Sequence, residues 1–93
     1  MSTEIQHIEK EEIKDLTFPK DEVLTTKEAQ EDRALKLTRA LSLGNLEQVK
    51  VKMYFRDSEG DKSVETTVWG LTRNDVILKE STIIPLNRIL KVI

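Results

Sequence analysis

Three cations and a phenol, Lys50, Lys52, Arg56 and Tyr54, recur at alternate positions between residues 50 and 56, and the single tryptophan, Trp69, follows shortly after. On a strand that spacing puts all four side chains on one face. Cations there can neutralise phosphates while Tyr54 and Trp69 offer flat surfaces for base stacking, the combination used by sequence-tolerant single-strand binders. The same residues also read as a solvated strand face, with Lys52 paired to Glu65 and Trp69 packed beneath a helix. Positive side chains on strands are common and blunt edge pairing. Trp69 belongs to the core if Leu37 and Leu41 cover its side of the sheet, and is an exposed anchor for a partner if they do not. The core assignment is favoured.

Other constellations point away from catalysis. Arg33, Lys36 and Arg39 form a basic helical cluster, but Asp32 stands four residues before Lys36, where a local ion pair accounts for the lysine. His7 has no second ligand at helical or strand spacing, so no metal site is expected. Asp57, Glu59 and Asp61 resemble the start of a calcium loop but lack its remaining oxygens, and turn chemistry explains them. There is no glycine-rich phosphate loop, and no Ser/His or Cys/His pair is expected in a folded segment. The chain is therefore expected to be non-enzymatic and to use no cofactor.

The elements that would position these residues follow from periodicity. Thr25-Thr26-Lys27-Glu28 fits a capping box opening a helix over about 26–43, with Gly44-Asn45 as its stop. Ala29, Ala34, Leu37, Ala40, Leu41 and Leu43 fall on one half of the helical wheel, leaving Leu35 exposed. From Val49 the period becomes two. Val49, Val51, Met53 and Phe55 point inward, and Asp57-Ser58-Glu59-Gly60 turns the chain back into Val64, Thr66 and Val68. A four-residue loop sets Met53 opposite Val64, Val51 opposite Thr66 and Lys52 opposite Glu65, whereas a one-residue slip would bury Glu65 and Thr67. Gly70 marks a bend in the second strand. Short strands follow near residues 76–79, 82–84 and 90–93, with a 3₁₀ turn from Pro85. Five strands without room for crossover helices must be antiparallel and curl to hide their edges.

Ninety-three residues, 38% hydrophobic and 34% charged, allow one domain with a modest core. No apolar run is long enough for a signal peptide or membrane span, and there is no cysteine, so a cytoplasmic protein with no membrane partner is expected. The net charge of −2 conceals a division: residues 1–32 hold four Lys against ten Asp/Glu, residues 33–93 eleven Lys/Arg against seven Asp/Glu. Ile5, Ile8, Ile13 and Leu16 are too sparse for a buried helical stripe, and Pro19 interrupts any helix, so residues 1–24 read as a flexible acidic leader. Phe18, Val23 and Leu24 are apolar enough to dock on the folded part. Residues 25–93 read as the helix plus barrel domain.

The order of helix, long hairpin, two short strands, 3₁₀ turn and closing strand resembles that of Sm-like, SH3-type barrels. The stretch Gly70-Leu71-Thr72-Arg73-Asn74-Asp75-Val76-Ile77-Leu78-Lys79 is similar to the middle of an Sm-like domain. The chain also resembles a group of small bacterial proteins with no assigned activity, through Leu43-Gly44-Asn45, Thr66-Thr67-Val68-Trp69 and Ile84-Pro85. The first resemblance implies a small barrel and admits ring assembly through edge strands. It implies no RNA-contacting residue, because Val76-Ile77-Leu78 and Ile84-Pro85-Leu86 stand where Sm-like RNA binders carry polar and glycine-containing motifs.

The resulting expectation is a mainly β, α+β chain: one N-terminal helix and a five-stranded antiparallel SH3-like or Sm-like barrel. Its expected function is an interaction module for protein–protein binding or self-association. The alternative is RNA or single-stranded nucleic-acid binding through Lys50, Lys52, Tyr54, Arg56 and Trp69.

Overall fold

The computed structural model describes residues 5–93, and its elements run β1 (Gln6–His7), a 3₁₀ turn (Lys10–Asp15), α1 (Lys27–Glu47), β2 (Val51–Arg56), β3 (Asp61–Thr66), β4 (Val68–Leu71), β5 (Asp75–Leu78), β6 (Ile83–Pro85), a 3₁₀ turn (Leu86–Arg88) and β7 (Ile89–Val92). The result is an α+β fold with one helix and two sheets, of order β1-β3-β2-β7 and β4-β5-β6. Among the described residues no ladder joins the two sheets, and the closed barrel expected from the sequence is not seen. Thr67 interrupts the long second strand, so β3 serves one sheet and β4 the other.

The first hairpin follows its alternation. Val51, Met53 and Phe55 are buried and Lys52 and Arg56 exposed, in the register Met53–Val64, Lys52–Glu65 and Val51–Thr66. Arg56 pairs with Asp61 across the four-residue turn, where Gly60 sits at φ 147°, a conformation that disfavours any side chain. Asp57 organises this turn. Its Oδ1 accepts from the amides of Glu59 (2.9 Å) and Gly60 (3.0 Å), and its Oδ2 from Lys62 Nζ at 2.7 Å, in a pair almost closed to water. Burial pushes the Asp57 carboxyl up, but Lys62 and the two amides outweigh it and hold the group below its ordinary range.

The helix begins close to where expected, but its cap is Thr26, whose Oγ1 accepts from the Ala29 amide at 3.1 Å; the third helical position is therefore Ala29 rather than Glu28, and the expected capping box does not form. It does not stop at Gly44. It continues to Glu47 and ends on Gln48 in the left-handed conformation (φ 55°, ψ 35°), whose amide bonds the Gly44 and Leu43 carbonyls. Gly44 instead permits close approach: a Cβ there would lie 2.3 Å from the Val68 carbonyl oxygen, so no other residue lets α1 rest against β4. Through these contacts and those with β7, α1 lies against a strand of each sheet. Its buried stripe is Arg33, Leu37, Ala40 and Gly44, narrower than the expected half-wheel. Ala34 is exposed, and Leu35 is 71% exposed as expected.

The acidic leader departs furthest from expectation. Residues 1–4 lie outside the described residues, but residues 5–24 are part of the packed structure rather than a flexible tail. Gln6 and His7 pair in parallel with Lys62 and Ser63, and the Ile8 amide donates to the Ser63 carbonyl at 2.9 Å. Ile8 and Ile13 are buried in the same core as Phe55, Leu78 and Ile84, and the Phe18 ring lies 5.9 Å from that of Phe55. Burying each isoleucine contributes about 1.5–3 kcal/mol before ordering is counted. The leader's acids also meet buried cations: Glu22 receives both Arg33 Nη atoms at 2.6–2.7 Å, and Asp21 receives Arg88 Nη1 at 3.1 Å. Arg33 also donates to the Ile89 carbonyl at 3.0 Å, and its guanidinium holds the Glu22 carboxyl below its ordinary range despite partial burial. The charge division in the sequence is thus partly neutralised across the fold, by pairs remote in the chain.

Candidate functional site

The structure separates the five candidate residues into two groups. Lys52, Tyr54 and Arg56 share the outward face of β2, where Arg56 is held in an ion pair and, among the described residues, the expected Lys52–Glu65 pair does not form. Asp61 takes Arg56 Nε at 2.6 Å and Nη2 at 3.4 Å, which raises the guanidinium further above its ordinary value. Lys52 Nζ lies 5.6 Å from the centre of the Tyr54 ring, a cation–π distance, and stands opposite Glu65 in the ladder. Tyr54 is half-buried, between Ser63 on β3 and Lys91 on β7.

Lys50 and Trp69 form the second group. Lys50 lies in the connection between α1 and β2, not on the strand, and lines a groove of about 450 Å³ with Trp69, Lys79, Thr67, Asn45 and Gln48. Trp69 is not in the core; it is 47% exposed. Two features account for this. Gly44 brings α1 down onto the Val68 carbonyl, so the helix seats on β4 backbone rather than over the indole. In the β4–β5 ladder Val68 faces Leu78 and Gly70 faces Ile77, so Trp69 is the extra residue of a bulge. Lys79, ten residues beyond Trp69 at the end of β5, carries no local signal that would have placed it beside the indole. The Lys79 amide donates to the Thr67 carbonyl at 3.0 Å, and this bond brings it there.

The outward face of the second sheet was not foreseen. Gly70 pairs with Ile77, and Ile77 with Ile83, so the three positions cross the sheet in line. The Ile77 side chain lies in ordinary contact with the space a Cβ on Gly70 would fill, and Ile83 is 48% exposed at the edge. On the inward face Val68, Val76, Leu78 and Ile84 are fully buried.

His7 Nδ1 lies 3.1 Å from Ser63 Oγ, a pairing not expected from the sequence. Ser63 is buried within β3, and the contact joins the side chains of β1 and β3 beside their backbone pairing. Among the described residues no three His, Cys, Asp or Glu gather as a metal group, and no helix is long and apolar enough to cross a membrane. Comparison with protein-family models, with curated proteins and with solved structures found no match.

Proposed function

We propose that the chain is a non-enzymatic interaction module of the cytoplasm, acting through protein–protein binding and, in its simplest form, self-association. The carrying observation is the outer face of the three-stranded sheet. Ile77 and Ile83 stand in register there, Trp69 projects from the bulge beside Gly70, and both Ile83 and Trp69 are about half exposed. Large apolar side chains grouped on a sheet face and rimmed by polar residues are characteristic of association surfaces. We read the frame as an SH3-like or Sm-like one. A hairpin, a long strand divided between two sheets and a 3₁₀ turn before β7 returns to pair with β2 all favour that reading.

Sedimentation velocity over a wide concentration range is the test. The expected result is a concentration-dependent shift toward a dimer, abolished by Ile83→Lys and weakened by Trp69→Ala. A chain that stays monomeric at every concentration would remove self-association.

RNA or single-stranded nucleic-acid binding is the second reading, favoured by the groove that unites Lys50, Trp69 and Lys79. A stacking indole between two cations suits a single strand better than the β2 face, where Arg56 is held by Asp61. Submicromolar binding of single-stranded RNA that weakens steeply with salt, and is lost in Lys50→Ala/Lys79→Ala, would reverse the order of the two readings.

A further inference from the structure

A second groove, of about 600 Å³, runs between the C-terminal half of α1, the start of β2 and the end of β7. Its floor is aliphatic, with Ala40, Leu43, Val49, Val51 and Val92, and its charged lining residues are Lys36, Arg39, Lys50 and Lys91, with no Asp or Glu among them. The cations stand on both banks, two on the helix and two on the strand side. Lys36 alone has a partner, Asp32 at 3.4 Å, and both of these side chains are largely in water, where such a pair holds weakly. Among the described residues Arg39, Lys50 and Lys91 form no ion pair, which is equally true of the exposed Lys14, Lys20, Lys27, Lys52, Arg73 and Lys79; what sets these three apart is that they share one apolar groove that no carboxylate lines. In an acidic chain, cations left unpaired around an apolar floor form a complementary surface for an acidic partner.

We propose that this groove is the docking site for an acidic amphipathic peptide segment of a partner protein, its apolar side chains on the Leu43/Val49/Val92 floor and its carboxylates against Arg39, Lys50 and Lys91. The proposal deepens the interaction-module reading; its groove contains none of Trp69, Ile77 and Ile83 and meets the Trp69 groove only at Lys50, so variants at Arg39 and Lys91 on one side and at Ile83 on the other let the two fail independently. A half-open groove between a helix and two strands suits a chain segment better than a small molecule, whose sites normally enclose most of the ligand. The lining is aliphatic, with no aromatic ring on which a base could stack, which disfavours a nucleic acid here.

The test titrates the isotope-labelled full chain with a synthetic peptide of about four helical turns, Leu at i, i+3, i+4 and i+7 and Glu elsewhere. Control peptides carry Lys for Glu or Ser for Leu; anionic phosphatidylserine vesicles and a single-stranded RNA complete the set. Saturable amide shifts at Arg39, Leu43, Val49, Lys50 and Lys91 are expected, with affinity about tenfold or more above either control peptide, a gap of about 1.4 kcal/mol. Arg39→Glu/Lys91→Glu should remove binding while keeping a folded spectrum, and Trp69→Ala should leave it unchanged. The proposal is overturned if the Glu/Leu peptide does not bind, if its Ser-for-Leu control binds equally, if the double variant binds like the native chain, or if vesicles or RNA occupy the groove more tightly. Loss of self-association in Ile83→Lys with peptide binding intact would show that the two surfaces are separate.

Discussion

The leader and the first hairpin are opposite cases of how a sequence encodes buried structure. In β2 each residue's neighbours announce its position: strict alternation, a turn with Gly60 at a positive φ, and a register against β3 in which a one-residue slip would bury Glu65, while β3 itself keeps Lys62 and Ser63 buried beside Val64. In the leader Ile8 and Ile13 announce nothing, yet both lie in the same core as Phe55. Strands carry their instructions locally because the period of two selects a face; an extended segment held by another element's edge takes its instructions from that element.

Truncating one core residue in each region tests the equivalence most severely. Phe55→Ala should cost about 3–5 kcal/mol and Ile13→Ala about 2–4, both read as shifts in the denaturant midpoint. A loss below about 0.5 kcal/mol for Ile13→Ala, the range of an ordinary surface site, would return the leader to the status of an appendage. Leu37→Ala, at 1% exposure on α1, should match Ile13→Ala, and Leu35→Ala should not.

Acid provides a milder comparison, since each region owns a carboxylate whose pKa is depressed in the folded state. Asp57 and Glu22 therefore stabilise the fold above the ordinary carboxylate range, and that contribution is lost as the pH falls through their folded values. Asp57→Asn and Glu22→Gln should each flatten the acid limb of the stability curve. The larger change, about 1–3 kcal/mol near neutral pH, belongs to the enclosed Asp57–Lys62 pair. A greater effect from Glu22 would place the stronger lock in the leader.

The smallest expected effect lies where the leader meets the second sheet. Glu80 and Ser81 turn β5 into β6 with φ of 65° at both positions, and Glu80 binds the leader's Lys10 at 2.7 Å; the neighbouring Glu11 first and Glu80 second push the lysine up to about 12. Ser81→Gly relieves a left-handed non-glycine residue and should stabilise the fold by about 0.5–1 kcal/mol in thermal unfolding. A destabilised variant would mean that the turn is not under strain.

Local periodicity and turn chemistry were enough to determine the hairpin register, the start of α1, the exposure of Leu35, the turn role of Asp57 and the 3₁₀ turn before β7, because each depends on residues a few positions apart or on a strict alternation. What depends on remote approach was decided by the tertiary structure. The Val68 carbonyl makes Gly44 a contact rather than a stop, and that contact, with the bulge at Trp69, turns the indole outward. Arg33 reads as helix surface until Glu22 and the Ile89 carbonyl surround it, and Lys50 reads as strand until it stands between Trp69 and Arg39, lining both grooves. Side-chain chemistry can be read from sequence, but the company a side chain keeps is set by contacts between segments whose separation along the chain leaves no periodic trace.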